Sequence, residues 1–99
     1  MAEMKTIGLI GGMSWESTVP YYRIINEYVG KELGGLHSAR IILYSVEFDE
    51  LEKFMSSDNW DSIAEILRDA AMKLEQAGAD VLLICTNTMH RLYPKIRER

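Results

Sequence analysis

Three short apolar runs, Met4–Ile10, Ala39–Val46 and Val81–Ile84, are separated by much longer stretches. Each run is too short for a helix of usual length. Both intervening stretches carry helical periodicity. Strands joined by a helix-length crossover pair in parallel, and right-handed crossovers put the helices on the sheet's faces. The spacing therefore predicts an α/β fold: a single domain over residues 1–99, three-layer αβα, with a parallel sheet and the element order βαβαβα. We infer a strand order of 2-1-3, which would bring the loops after the first and third strands together. That order rests on topology, since periodicity does not fix it.

The punctuation between the runs supports this outline. Gly11-Gly12 follow the first run and let the backbone turn sharply. Pro20 lacks an N–H and fits best in a helix's first turn, which predicts an N-cap at Ser17 or Thr18 with residues 13–16 left in a loop. Tyr21, Ile24, Ile25, Tyr28 and Val29 recur at helical spacing as one apolar face, and Gly34-Gly35 end it. After the second run, Phe48, Leu51 and Met55 suggest a short helical turn. Ser57 or Asp58 is expected to cap the next helix, Trp60 to Ala77, with Gly78 closing it. The tail offers two readings, because Pro94 either interrupts a helix begun near Thr88 or starts a second one.

Composition narrows the class. The chain has 99 residues, 47% of them hydrophobic, and a net charge of -4. An acidic balance speaks against non-specific nucleic-acid binding. The basic residues Arg91, Lys95, Arg97 and Arg99 suit the end of a helix, where cations complement the dipole. No apolar run approaches the length of a membrane span and no leader-like segment opens the chain. The single cysteine cannot form an internal disulfide. A cytoplasmic protein with no membrane association is expected.

That cysteine, Cys85, ends the third apolar run and precedes Thr86-Asn87-Thr88. In open α/β sheets ligands bind at the strands' carboxyl ends. Spacing leaves Cys85 open between a buried core thiol and a reactive one. A helix N-terminus beside it would favour the thiolate. The strand-end position and the polar sequel favour function. Thr86, Asn87 and Thr88 could hold a carboxylate through hydroxyl, amide and backbone N–H donors, although composition alone favours plain helix capping. Gly11, Gly12, Met13 and Ser14 could form a second anion cradle, with a tight strand-to-helix turn as the simpler reading. The glycines match neither the dinucleotide fingerprint nor a phosphate-binding loop. Glu47 lies about 35 residues beyond them, against roughly 20 for the ribose-binding acid of a dinucleotide site. His90 could pair with Cys85 but suits a polar helix position; His37 suits an exposed loop. One cysteine and two distant histidines make no zinc set, so no metal is expected. Trp15 in the glycine loop could line a pocket, with packing over the core as the simpler expectation.

Three segments together resemble one family. Ile7 to Thr18, Gly34 to Ala39 and Cys85 to His90 are similar, in order and spacing, to the aspartate/glutamate racemase family, and most to its broad-specificity amino-acid racemase branch. The resemblance runs along essentially the whole chain. It implies an isomerase that needs no pyridoxal phosphate, other cofactor or metal. In that family two cysteines face opposite sides of the substrate Cα, one removing the α-proton and the other returning a proton. The resemblance assigns Cys85 as the first of these. It makes Gly12, Met13, Thr86, Asn87 and Thr88 substrate-holding positions, and Glu47 a residue that senses the substrate side chain. Strict aspartate racemases place an arginine shortly after the second strand. Phe48-Asp49-Glu50-Leu51 stand here instead, against strict aspartate specificity.

Family members also carry a second, pseudo-symmetric α/β domain that holds the second cysteine. By this resemblance the chain is expected to correspond to the N-terminal half, with the second domain absent from it. A small amino acid is the expected ligand. An open sheet edge and an uncovered face lead us to expect a homo-oligomer, or association with a missing second half. The isolated chain is expected to racemise poorly, unless a homodimer brings two copies of Cys85 to one site. Two rival readings remain: a non-catalytic carboxylate- or phosphate-binding module, and a structural half that assembles with a separate chain.

Overall fold

The computed structural model describes residues 4–85. Six elements follow in order: β1 (Thr6–Gly11), α1 (Trp15–Leu33), β2 (Arg40–Ser45), α2 (Phe48–Ser56), α3 (Trp60–Gln76) and β3 (Val81–Ile84). The final helix, the break at Pro94 and the basic residues from Arg91 onward lie outside the described residues. The strands form one parallel sheet in the order β2-β1-β3, the expected 2-1-3. Among the described residues, no helix is long and apolar enough to cross a membrane.

Register separates the two sheet faces. Leu9 stands opposite Leu43 and Leu83, and Ile10 opposite Tyr44 and Ile84. Successive side chains alternate between faces. A Cβ on Gly8 would lie 3.3 Å from Leu74 Cβ of α3, whereas one on Gly11 would lie 2.8 Å from Thr18 Cγ2 of α1. The two helices therefore cover opposite faces, giving the three layers.

Those layers are unequal. On the α3 side, Ile63, Ala64, Leu67, Ala70, Ala71 and Leu74 are buried together with Ile10, Ile84 and Leu51 of α2. The alanines let the helix approach the sheet closely. On the other side, Thr18 is the sole buried residue of α1. The predicted apolar face of that helix is split: Tyr21, Ile25 and Val29 are half-buried, while Ile24 is 56% and Tyr28 65% exposed.

Three local expectations need correction. First, α1 starts at Trp15, with Ser14 as N-cap and Pro20 inside the helix. Proline removes the bond to the carbonyl four residues earlier, here Glu16 in the exposed first turn, where solvent can replace the lost partner. The early start carries Thr18 against the glycine turn. Second, the segment after β2 is a full helix, because Glu47 caps it and Leu51 is fully buried beneath it. Third, Asn59 caps α3, its side chain accepting from Ser62 N at 3.2 Å. Ser57 instead ends α2, and Asp58 takes a left-handed φ of 58° to complete the link. At the far end of α3, Ala79 N bonds to Leu74 O and Gly78 N to Glu75 O, both at 3.0 Å. This is a Schellman closure around Gly78, whose φ of 107° suits glycine.

Candidate active site

The carboxyl ends of the three strands converge. Backbone bonds extend the ladder past the last paired residues: Cys85 N donates to Ile10 O at 2.9 Å and Val46 N to Gly11 O at 2.8 Å. Cys85 thus sits on one side of the β1 terminus and Val46 on the other. The glycine turn lies between them.

That turn is tightly specified. Gly12 has a φ of 94°, and a Cβ there would meet Ser45 Oγ at 2.6 Å, Val46 N at 2.7 Å and, closer still, Val46 O. Only glycine fits a backbone so placed. A Cβ on Gly11 would stand 2.6 Å from Thr18 Oγ1 and 3.1 Å from Leu43 Cδ1. The Gly12 N–H donates to Thr18 Oγ1 at 3.0 Å in a buried bond. Met13 turns its side chain into the core and is 5% exposed. Any part Met13 plays in holding a ligand therefore falls to its backbone. The sequence reading had Thr18 as a possible helix cap and missed this role.

Cys85 is a free thiol, 1% exposed. Burial pushes its pKa up to about 11, because the charged form loses hydration. The lowered value that a neighbouring helix N-terminus would produce is not what the described residues give. Thr86, Asn87 and Thr88, the segment expected to supply that N-terminus, lie outside the described residues, as does His90. Glu47 caps α2, its two carboxylate oxygens accepting from Asp49 N and Glu50 N at 3.2 Å each. It stands at the carboxyl end of β2, as expected, with its charge engaged locally. His37 is exposed. Trp15 is 65% exposed, so the expectation that it covers core is corrected: at the first position of α1 it points away from the sheet. No group of three potential metal ligands occurs among the described residues.

A cavity of about 450 Å³ opens beside β2, lined by Tyr44, Val46, Glu47, Glu50, Glu65 and Asp69 among others. Neither Cys85 nor Gly12 lines it. Chemically, the convergence of Cys85 with the glycine turn offers a thiol able to exchange a proton and a turn whose Met13 and Ser14 N–H groups bond to no described residue. Free backbone N–H groups beside a helix start can hold an anion.

Residues 10–99 match the sequence profile of the Asp/Glu/hydantoin racemase family. Two solved structures are similar. One is a proposed Asp/Glu racemase from Yersinia pestis, 56% identical, with a TM-score of 0.94. The other is an aspartate racemase homologue from Pyrococcus horikoshii OT3, 33% identical, with a TM-score of 0.81. Each match covers 96% of this chain and 41% of the other, so the chain spans about two fifths of the length of these relatives.

Proposed function

The chain belongs to the Asp/Glu/hydantoin racemase family, and from that membership we propose that it forms part of a cofactor-independent amino-acid racemase in which Cys85 exchanges the α-proton. The observation that carries the reading is the place of Cys85, tied to Ile10 O beside the glycine turn at the sheet's carboxyl edge. In the proposed step the Cys85 thiolate takes the proton from Cα. The electron pair left behind delocalises into the carboxylate, and a second thiol delivers a proton to the opposite face. Donors fixed on the carboxylate stabilise that charge. Met13 and Ser14 N–H supply them on this side, with Gly12 shaping the turn and Thr86, Asn87 and Thr88 completing the set. Glu47 faces the substrate side chain, and an aspartate/glutamate or broader specificity is proposed. Burial holds Cys85 protonated at neutral pH. The substrate ammonium, placed near Sγ, offsets that penalty because an adjacent positive charge favours the thiolate.

The sequence has one cysteine, so the second thiol comes from elsewhere: further protein corresponding to the rest of the relatives, or a second copy. We propose a cytoplasmic protein acting on a small amino acid, associating with itself or with that second half, and poorly active as this chain alone. The test is incubation in D2O with both enantiomers of aspartate, glutamate and homoserine, following α-proton loss by NMR and inversion by chiral chromatography. Exchange abolished in Cys85→Ser supports the reading. Exchange that survives Cys85→Ser overturns the role of Cys85.

The burial of Cys85, 1% exposed, favours a second reading, a non-catalytic module that binds a carboxylate or phosphate at this edge. It expects ligand-induced stabilisation that Cys85→Ser leaves unchanged, with no α-proton exchange.

A further inference from the structure

We propose that Thr18 is a positioning residue for ligand binding at the glycine turn: its hydroxyl occupies the Gly12 N–H, so that among the described residues the Met13 and Ser14 N–H groups are the turn's unbonded donors. The inference rests on the racemase reading for the identity of the ligand, an amino acid held by its carboxylate.

Three observations meet at Thr18. It is 6% exposed, the one buried polar residue among those described and the one buried residue of α1. Burying a hydroxyl costs free energy unless it is hydrogen-bonded, and here it accepts the Gly12 N–H at 3.0 Å. The Gly11 backbone comes so close that a Cβ would lie 2.6 Å from Oγ1 and 2.8 Å from Cγ2. Helix and turn are thus keyed together at a single side chain. Without this acceptor, Gly12 N–H would be a buried, unpaired donor, and the turn could relax by rotating its peptide toward solvent or ligand. Such rotation changes which N–H groups converge on an anion. The hydroxyl therefore fixes the donor geometry without touching the ligand. α1 tolerates Pro20 while still beginning at Trp15, and that early start is what brings Thr18 to the turn.

The test compares Thr18→Val, which keeps the shape and loses the hydroxyl, with Thr18→Ser, which keeps the hydroxyl. The 99-residue chain is titrated with L-aspartate and L-homoserine by amide NMR, alongside hydrogen exchange at Gly12. In the wild type, the Gly12 amide is expected to be protected and ligand shifts to centre on Met13 and Ser14. Thr18→Val is expected to weaken binding about tenfold or more, the scale of one misaligned charge-assisted hydrogen bond, and Thr18→Ser to stay within about threefold. A folded Thr18→Val with wild-type affinity overturns the inference and leaves the racemase reading standing. Should Thr18→Val not fold, Thr18→Ser decides: wild-type affinity with an unprotected Gly12 amide overturns the inference, and wild-type affinity with a protected one supports it. A wild-type chain that binds neither amino acid overturns this inference and leaves the racemase reading standing, since that reading has the site completed by a second half.

Discussion

At the scale of single residues, the turn after β1 tolerates little. Gly12→Ala adds a methyl against Val46 and Ser45 at a φ of 94°. Left-handed strain and overpacking together are expected to destabilise the chain by about 2–4 kcal/mol, read by denaturant unfolding. Cys85 gives a prediction in pH. An unfolded thiol loses its proton near the ordinary value of 9.0, whereas the folded chain keeps it up to about 11. Between those values the folded state binds more protons, so stability falls as pH rises. The contribution is intact below about pH 9 and lost above pH 11, about 2–3 kcal/mol in all. Unfolding curves across that window should show the fall in the wild type and a shallower slope in Cys85→Ala. Equal slopes would mean that the thiol is hydrated in the folded chain.

Helices and strands carry different amounts of their own instructions. All three strands and the parallel sheet follow from short apolar runs set a helix-length crossover apart, whereas the 2-1-3 order was an inference from topology that the structure bears out. The α3 face was equally plain, since Ile63, Ala64, Leu67, Ala70, Ala71 and Leu74 are all buried, although Ala77 at its end is exposed. The start of α1 was not, because Pro20 argues for a first-turn position and only the packing of Thr18 against Gly11 moves the start to Trp15. Pro20→Ala restores a donor to the Glu16 carbonyl and removes a ring clash at an exposed site. It is expected to raise stability by about 1–2 kcal/mol after allowing for the looser unfolded chain, measured by thermal unfolding. Periodicity also identified the apolar side of α1 without revealing that Ile24 and Tyr28 stay exposed. A sequence pattern reports what a face is made of, and burial depends on what else arrives there. The same limit applies to the site. The placement of Cys85 and Gly12 at the sheet's carboxyl edge was legible from their strand-end positions, whereas the buried Thr18–Gly12 bond depends on the approach of two elements.

For the molecule as a whole, the thin α1 side bears on assembly. Trp15, Val19, Tyr22, Ile24, Tyr28 and Leu43 are each about half or more exposed on α1 and β2, a pattern typical of an interaction surface. The proposed self-association predicts a mass that rises with concentration above the 11.3 kDa monomer in sedimentation equilibrium. Ile24→Glu with Tyr28→Lys, a favourable pair along the helix, should return it to monomer. A monomer at every concentration would count against self-association. The strand order has a further consequence, in time rather than space. β1 is the first strand synthesised and the middle one of the sheet, and it waits for β3, with Thr6 and Asp80 separated by 74 residues. At about 5–20 residues per second, translation leaves one flank of the central strand open for roughly 4–15 s after it leaves the ribosome. Contacts between distant residues slow folding as well. The nascent protein therefore passes through a period when its most deeply buried strand has no complete set of neighbours, and its yield in a cell depends on what shields that strand until Val81–Ile84 emerge.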